Sequence, residues 1–158
     1  MSILAATTEP AHVQNRDSIV SYVAAALLVV MSTAQLYSYE DFPSVLWSYS
    51  LLGSLATVKL ISALLVTAEV FSLPFLFRMR VSPLMRSFSL VSGLIVSVFW
   101  MILSLWLVLT DNSITNGGIL GATISISAGT GQLIVSIILF LLMLYVAYRL
   151  WPLRPRHT

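Results

Sequence analysis

Cysteine is absent from all 158 residues, so the chain holds no disulfide, no thiolate nucleophile and no thiolate metal site. Histidine occurs twice, at His12 and His157, both near the termini, and no pair stands within an apolar run where it could ligate haem. Charge is scarce as well. Asp, Glu, Lys and Arg make up 9% of the residues, where a soluble domain carries about a quarter. The net charge of +2 comes from basic residues at the ends of apolar runs, which gives nucleic acid no basic face to meet. Five of the seven glycines fall in Thr110–Gln132, but they follow no phosphate-loop pattern and no Lys-Ser/Thr pair ends the segment, so a nucleotide cradle is excluded.

What the chain has in abundance is apolar length. Hydrophobic residues are 58% of the total and mean hydropathy is +0.95, values of an integral membrane protein. The runs have helical length, unlike the ten-residue alternation of an outer-membrane barrel. The predicted spans are about 18–37, 53–75, 88–109 and 133–150, within a single domain over 18–151 flanked by tails at 1–17 and 152–158. The fold class is therefore all-α, an integral membrane four-helix bundle. Seven of the eight basic residues (Arg16, Arg78, Arg80, Arg86, Arg149, Arg154, Arg156) fall on one side of such a bundle, and the two loops on the other side contain no Lys or Arg. This predicts both termini in the cytoplasm of a cell whose membrane resembles a bacterial inner membrane.

In the first span Ser21, Ala25, Ser32 and Gln35 share one small and polar face, which predicts an inward orientation; Asp17 and Ser18 are expected to cap its start. The connection Ser38–Leu46 is acidic, with Glu40 and Asp41, and Pro43 keeps either neighbouring helix from running through it. The stretch Trp47–Phe77 holds the chain's only charges inside an apolar segment, Lys59 and Glu69. At about 1.5 Å per residue it is about 46 Å long, more than a hydrocarbon core needs. Lys59 lies within two turns of an interface, where its stem can carry the ammonium to the headgroups. Glu69 is shorter and deeper: either an inward-facing, hydrogen-bonded or protonated group with a role in function or assembly, or a structural polar contact. Ser54, Ser62, Glu69 and Ser72 share its face, and Pro74 is expected to kink or end the helix just past it.

The third span places Ser89, Gly93 and Ser97 four residues apart, a spacing that lets another backbone approach, within the chain or in a second copy. Trp100 and Trp106 are either core or interfacial belt residues. In the loop Thr110–Gln132, Ile119–Ser127 is apolar enough to lie on the membrane or dip into it. The fourth span is nearly uniformly apolar, with Ser136 its one clearly polar interior residue, and Tyr145, Tyr148 and Trp151 form an aromatic belt at its exit.

The order AQLYSYEDFPSVLWSYSLLG, the Glu of TAEVFSLPFLF and the basic turn RMRVSPLMR, over about Ser18–Leu109, resembles the DoxX/MauE-like family of small four-helix membrane proteins. The resemblance implies that Glu69 is the family's buried acid, Arg78 or Arg80 its basic turn, and Phe42 and Tyr49 its loop aromatics. Gln35 stands where a Lys is usual, and Ser32 or Thr33 where a Gly is. Any ion pair between the first two spans would therefore have to come from Lys59 or be absent. Members act as membrane subunits or partners of redox systems, which implies a quinone-like ligand and a membrane or periplasmic redox partner protein.

The resulting expectation is an accessory or anchor subunit of a redox or stress-related membrane system, not an enzyme on its own, with Glu69, Lys59, Gln35 and Ser62 as candidate ligand- or partner-binding residues. The alternatives are a small proton- or cation-coupled transporter, which would suit a homo-oligomer, and a purely structural subunit of a larger complex.

Overall fold

A computed structural model describes residues 15–51, 53–110, 114, 116–122 and 129–150. Five helices follow one another: α1 (Asn15–Tyr37), α2 (Phe42–Trp47), α3 (Leu55–Leu76), α4 (Pro83–Thr110) and α5 (Thr130–Leu150), with no strand among the described residues. Four of them are long and apolar enough to cross a membrane. These four form the multi-pass bundle that the hydropathy of the chain dictates.

The boundaries shift for local reasons. α1 begins before Asp17 and Ser18, so neither caps it. Asp17 sits in the first turn instead, and its carboxylate takes a paired contact from Arg149, Nε at 3.2 Å and Nη2 at 3.1 Å, together with the Tyr145 hydroxyl at 2.7 Å. Ser18 accepts from Arg78 at 2.7 Å. α4 starts five residues earlier than expected, because Pro83 suits a first helical turn and the Ser82 hydroxyl accepts from the Met85 amide at 3.3 Å. Its 28 residues span about 42 Å, more than the hydrocarbon core, so its ends project or the helix tilts. Pro43 separates the spans as expected and also opens a short helix: it lies in the first turn of α2, where a missing N–H costs nothing.

Pro74 lies inside α3, which ends two residues later at Leu76. The break in the helical ladder is repaired from α4. The Ser89 hydroxyl accepts from the Phe75 amide at 3.0 Å and donates to the Ser72 carbonyl at 3.0 Å, which ties the two helices where proline has loosened one. Beside it Gly93 is buried, and a side chain there would overlap the end of Met143 on α5 and press on Ser72 of α3. The small-residue stripe Ser89, Gly93 and Ser97 thus faces inward, where it lets α3, α4 and α5 close on one another.

Ser21, Ala25, Ser32 and Gln35 are all buried, as the face of α1 requires. Of the two tryptophans left open, Trp100 is core and Trp106 is 40% exposed. The apolar stretch of α5 is 28% buried against 39–44% for the other three, so α5 carries the largest lipid-facing share. Tyr37 and Tyr148 are exposed at helix ends, and Tyr22 is half-exposed two turns into α1. Trp151, Arg154 and Arg156 lie outside the described residues.

The two ends of the bundle differ. At one, the basic end, Arg78 reaches the start of α1, Arg86 donates to the Leu150 carbonyl at 2.7 Å, and Ser21 donates to the Leu76 carbonyl at 2.6 Å. At the other, the loop end, α2 and residues 116–122 fold over the helices.

Candidate functional site

Glu69 stands in the middle of α3, seven residues before its end, with no exposed surface. Its face of the helix, with Ser62 and Ser72, is buried as the helical spacing requires. Two donors converge on one carboxylate oxygen, Oε1: the Gln35 amide of α1 at 3.0 Å and the Trp100 indole N–H of α4 at 3.3 Å. The same Gln35 nitrogen also donates to the Ile119 carbonyl at 3.1 Å. Four separate segments therefore meet at one carboxylate and one amide. The second carboxylate oxygen, Glu69 Oε2, and the amide oxygen, Gln35 Oε1, are buried without a hydrogen-bond partner among the described residues.

The surroundings hold these groups in place. Trp100 is fully buried, with the Phe99 ring edge-on at 5.8 Å and the Phe42 ring tilted at 6.5 Å between centroids. These rings fix the indole so that its N–H meets Glu69. The loop reaches Gln35 because Gly121 lets residues 118–121 pass close to α1: a Cβ there would overlap the Ser38 hydroxyl and crowd the Ala34 carbonyl. Ser38 in turn accepts from the Ala122 amide at 2.8 Å. Ile119 is buried, so this part of the apolar loop plugs the bundle; residues 123–127, the rest of the segment expected on or in the membrane, lie outside the described residues.

A second polar knot closes the loop end. The Tyr49 hydroxyl donates to the Gly117 carbonyl at 2.5 Å and meets the Gln132 amide, Oε1 at 3.2 Å and Nε2 at 3.1 Å. Gly117 lies against the Gln132 amide, and a Cβ there would displace that side chain from its place beside the Tyr49 hydroxyl. Burial pushes the Tyr49 hydroxyl up to about 12, because a phenolate there would lose its water. One turn further along α5, Ser136 donates to the Gln132 carbonyl and meets Ser104 of α4 at 2.9 Å.

Of the four residues expected at the site, the structure brings Gln35 and Glu69 into direct contact. Ser62 is buried on the same face, but its hydroxyl donates to the Val58 carbonyl of its own helix at 2.8 Å. Lys59 is exposed near the start of α3, with no hydrogen bond or ion pair among the described residues, on the surface from which its ammonium reaches an interface. The tie between the first two spans is thus a neutral amide on a carboxyl group, with no cation. Phe42 and Tyr49, the two loop aromatics, are both buried in the cap over the loop end, while Arg80 is exposed at the basic end.

Sequence reasoning missed Trp100 as the second donor. It stands seven residues after Gly93 and so on the same face of α4, which was the available signal. The Ile119 carbonyl carried none, since backbone groups leave no mark on residue identity. Gln132, four residues before Ser136, could have been found by the same spacing.

Chemically the cluster can accept hydrogen bonds, or hold one proton, in an interior with no exposed surface. Among the described residues it contains no hydroxyl or amine placed as a nucleophile beside a base. Among the described residues no group of three or more His, Asp or Glu side chains is arranged to hold a metal. No family model matches the chain, and no curated protein or solved structure matches it.

Proposed function

We propose that the protein is an accessory or anchor subunit of a redox or stress-related membrane system, and that a lipophilic, quinone-like molecule binds between its helices at Glu69. The observation that carries this reading is a fully buried carboxyl group with one oxygen satisfied twice and the other not at all. Burying an unpartnered polar oxygen costs about 1–3 kcal/mol, and such groups persist where something else completes them. An apolar groove of about 400 Å³ on the lipid side of α4, lined by Val91, Leu94, Ile95, Val98, Phe99 and Ile102, gives a hydrocarbon tail a seat. Phe99, which lines this groove, packs edge-on against the Trp100 ring that donates to Glu69, and this contact supports a headgroup lying toward Glu69.

A structural subunit with no ligand is favoured by one observation: Glu69, Gln35, Trp100 and Ile119 together pin four segments. Fluorescence separates the two. With Trp47, Trp106 and Trp151 replaced by Phe, Trp100 is the sole emitter. Titrating a short-chain ubiquinone and, separately, its quinol into the protein in nanodiscs should change its emission saturably with at least one of the two forms, and Glu69→Leu should abolish the saturable part. Linear changes with both forms, identical in both proteins, would leave only the structural reading.

A further inference from the structure

The hydrogen-bonding inventory around Glu69 is one-sided. Gln35 has a single amide nitrogen, and it is already engaged with Glu69 Oε1 and the Ile119 carbonyl. Trp100 has one N–H, and it is engaged with Glu69 Oε1. Every side-chain donor seen in the cluster is thus committed. What remains open is two acceptors, Glu69 Oε2 and Gln35 Oε1, on side chains that are both 0% exposed and joined at 3.0 Å. Turning the Gln35 amide over would not help, because it would set its oxygen against both Glu69 Oε1 and the Ile119 carbonyl, two acceptors that now receive an N–H.

From this we infer that the Glu69–Gln35 pair is an acceptor-only subsite, selective for a lipophilic molecule that presents a hydrogen-bond donor, a hydroxyl or an amine, over one that presents only carbonyl or ether oxygens. The inference rests on the ligand reading given above and sharpens it: of a quinone and its reduced form, the site takes the reduced one, which has a hydroxyl to donate to an open oxygen. A carbonyl ligand would add a third acceptor to two that already lack donors, and its own oxygen would stay unpaired in a dry interior.

The polarity of the subsite can be reversed without changing its shape. In Glu69→Gln the amide oxygen takes the Oε1 position, where Gln35 and Trp100 continue to donate, so the NH₂ falls at the position of Oε2. An open acceptor becomes an open donor, and the preference between ligands should invert.

The test uses the full chain in nanodiscs, held without oxygen, and measures by mass spectrometry the ligand retained above that in empty nanodiscs. Three probes are compared: a short-chain ubiquinol, its dimethyl ether, and the corresponding ubiquinone. The quinol should be retained about tenfold or more above the other two, the scale of one hydrogen bond to a charged or buried partner. In Glu69→Gln the ubiquinone should be retained above the quinol. Equal retention of all three, abolished by Glu69→Leu, would overturn the donor preference while leaving a ligand site at Glu69. Retention of the ubiquinone above the quinol by the unaltered protein would also overturn it and would place a proton on Oε2. Retention of none above empty nanodiscs would remove the ligand reading and this inference together.

Discussion

A carboxyl group in the centre of a bilayer protein is expensive, and at Glu69 the cost is partly offset by donors from two other segments, Gln35 of α1 and Trp100 of α4. Replacing it by leucine leaves the Trp100 N–H buried without an acceptor and takes one of two acceptors from Gln35. Glu69→Leu should therefore lower thermal stability in detergent by the equivalent of about 1–3 kcal/mol. Glu69→Gln keeps an oxygen in the same place and should lose less. Two variants melting together would show that the hydrogen bonds at this position contribute nothing. Tyr49 makes a second residue-scale prediction. Its hydroxyl is pushed up to about 12 by burial, against an ordinary tyrosine near 10. A raised acid contributes stability that is complete below the unfolded value and lost as pH rises through the folded one. The advantage of the wild type over Tyr49→Phe should hold up to about pH 10 and shrink between about 10 and 12, with the other five tyrosines common to both proteins. A gap between the two melting curves that stays constant across this range would contradict a buried, hydrogen-bonded phenol.

At the scale of the helix, spacing and hydropathy reveal most of what matters and side-chain partners the rest. The four long helices, the buried face of α1 that carries Gln35, the face of α3 that carries Glu69 and the small-residue stripe of α4 follow from periodicity, because a helix turns at a fixed angle and lipid rewards apolar surface wherever it falls. Less legible were the places where one element completes another. Ser89 serves the backbone of α3, Ile119 offers a carbonyl from a loop, and Asp17 answers Arg149 more than a hundred residues away. Such pairings depend on tertiary proximity, which no local pattern encodes. The start of α4 was missed for a simpler reason: three arginines read as a loop, though Pro83 and Ser82 already spell a helix beginning. Gly93 puts the packing of this element to the test. Leucine there must displace Met143 and push against Ser72, whereas Val91, on the same helix, is 49% exposed. Gly93→Leu should lower the melting temperature well below that of Val91→Leu, by about 1–3 kcal/mol or more in stability. Equal melting temperatures would mean that α4 turns its other face to the bundle.

Seen whole, the molecule is polarised along its length in a way that an isolated helix could not show. Arg16, Arg78, Arg80, Arg86 and Arg149 gather at the basic end, while Glu40 and Asp41 stand at the loop end, where the two connections carry no basic residue. The grouping follows from an even number of crossings, and the positive-inside tendency then predicts that the basic end faces the cytoplasm. Under that orientation the plug over Glu69, made by α2 and residues 116–122, faces the outside. Single cysteines report it directly, since the chain has none of its own. The reporters must avoid groups that hold the fold: Asn116 bridges its loop through Gly118, Gly121 and Ala122, so Glu40 is the better outer site, and Met79, 58% exposed, the inner one. On intact cells an impermeant maleimide should modify Glu40→Cys and leave Met79→Cys untouched until the membrane is opened. Labelling of Met79→Cys alone would invert the molecule, and would then place the Glu69 plug on the cytoplasmic side, where a ligand or partner would have to be sought instead.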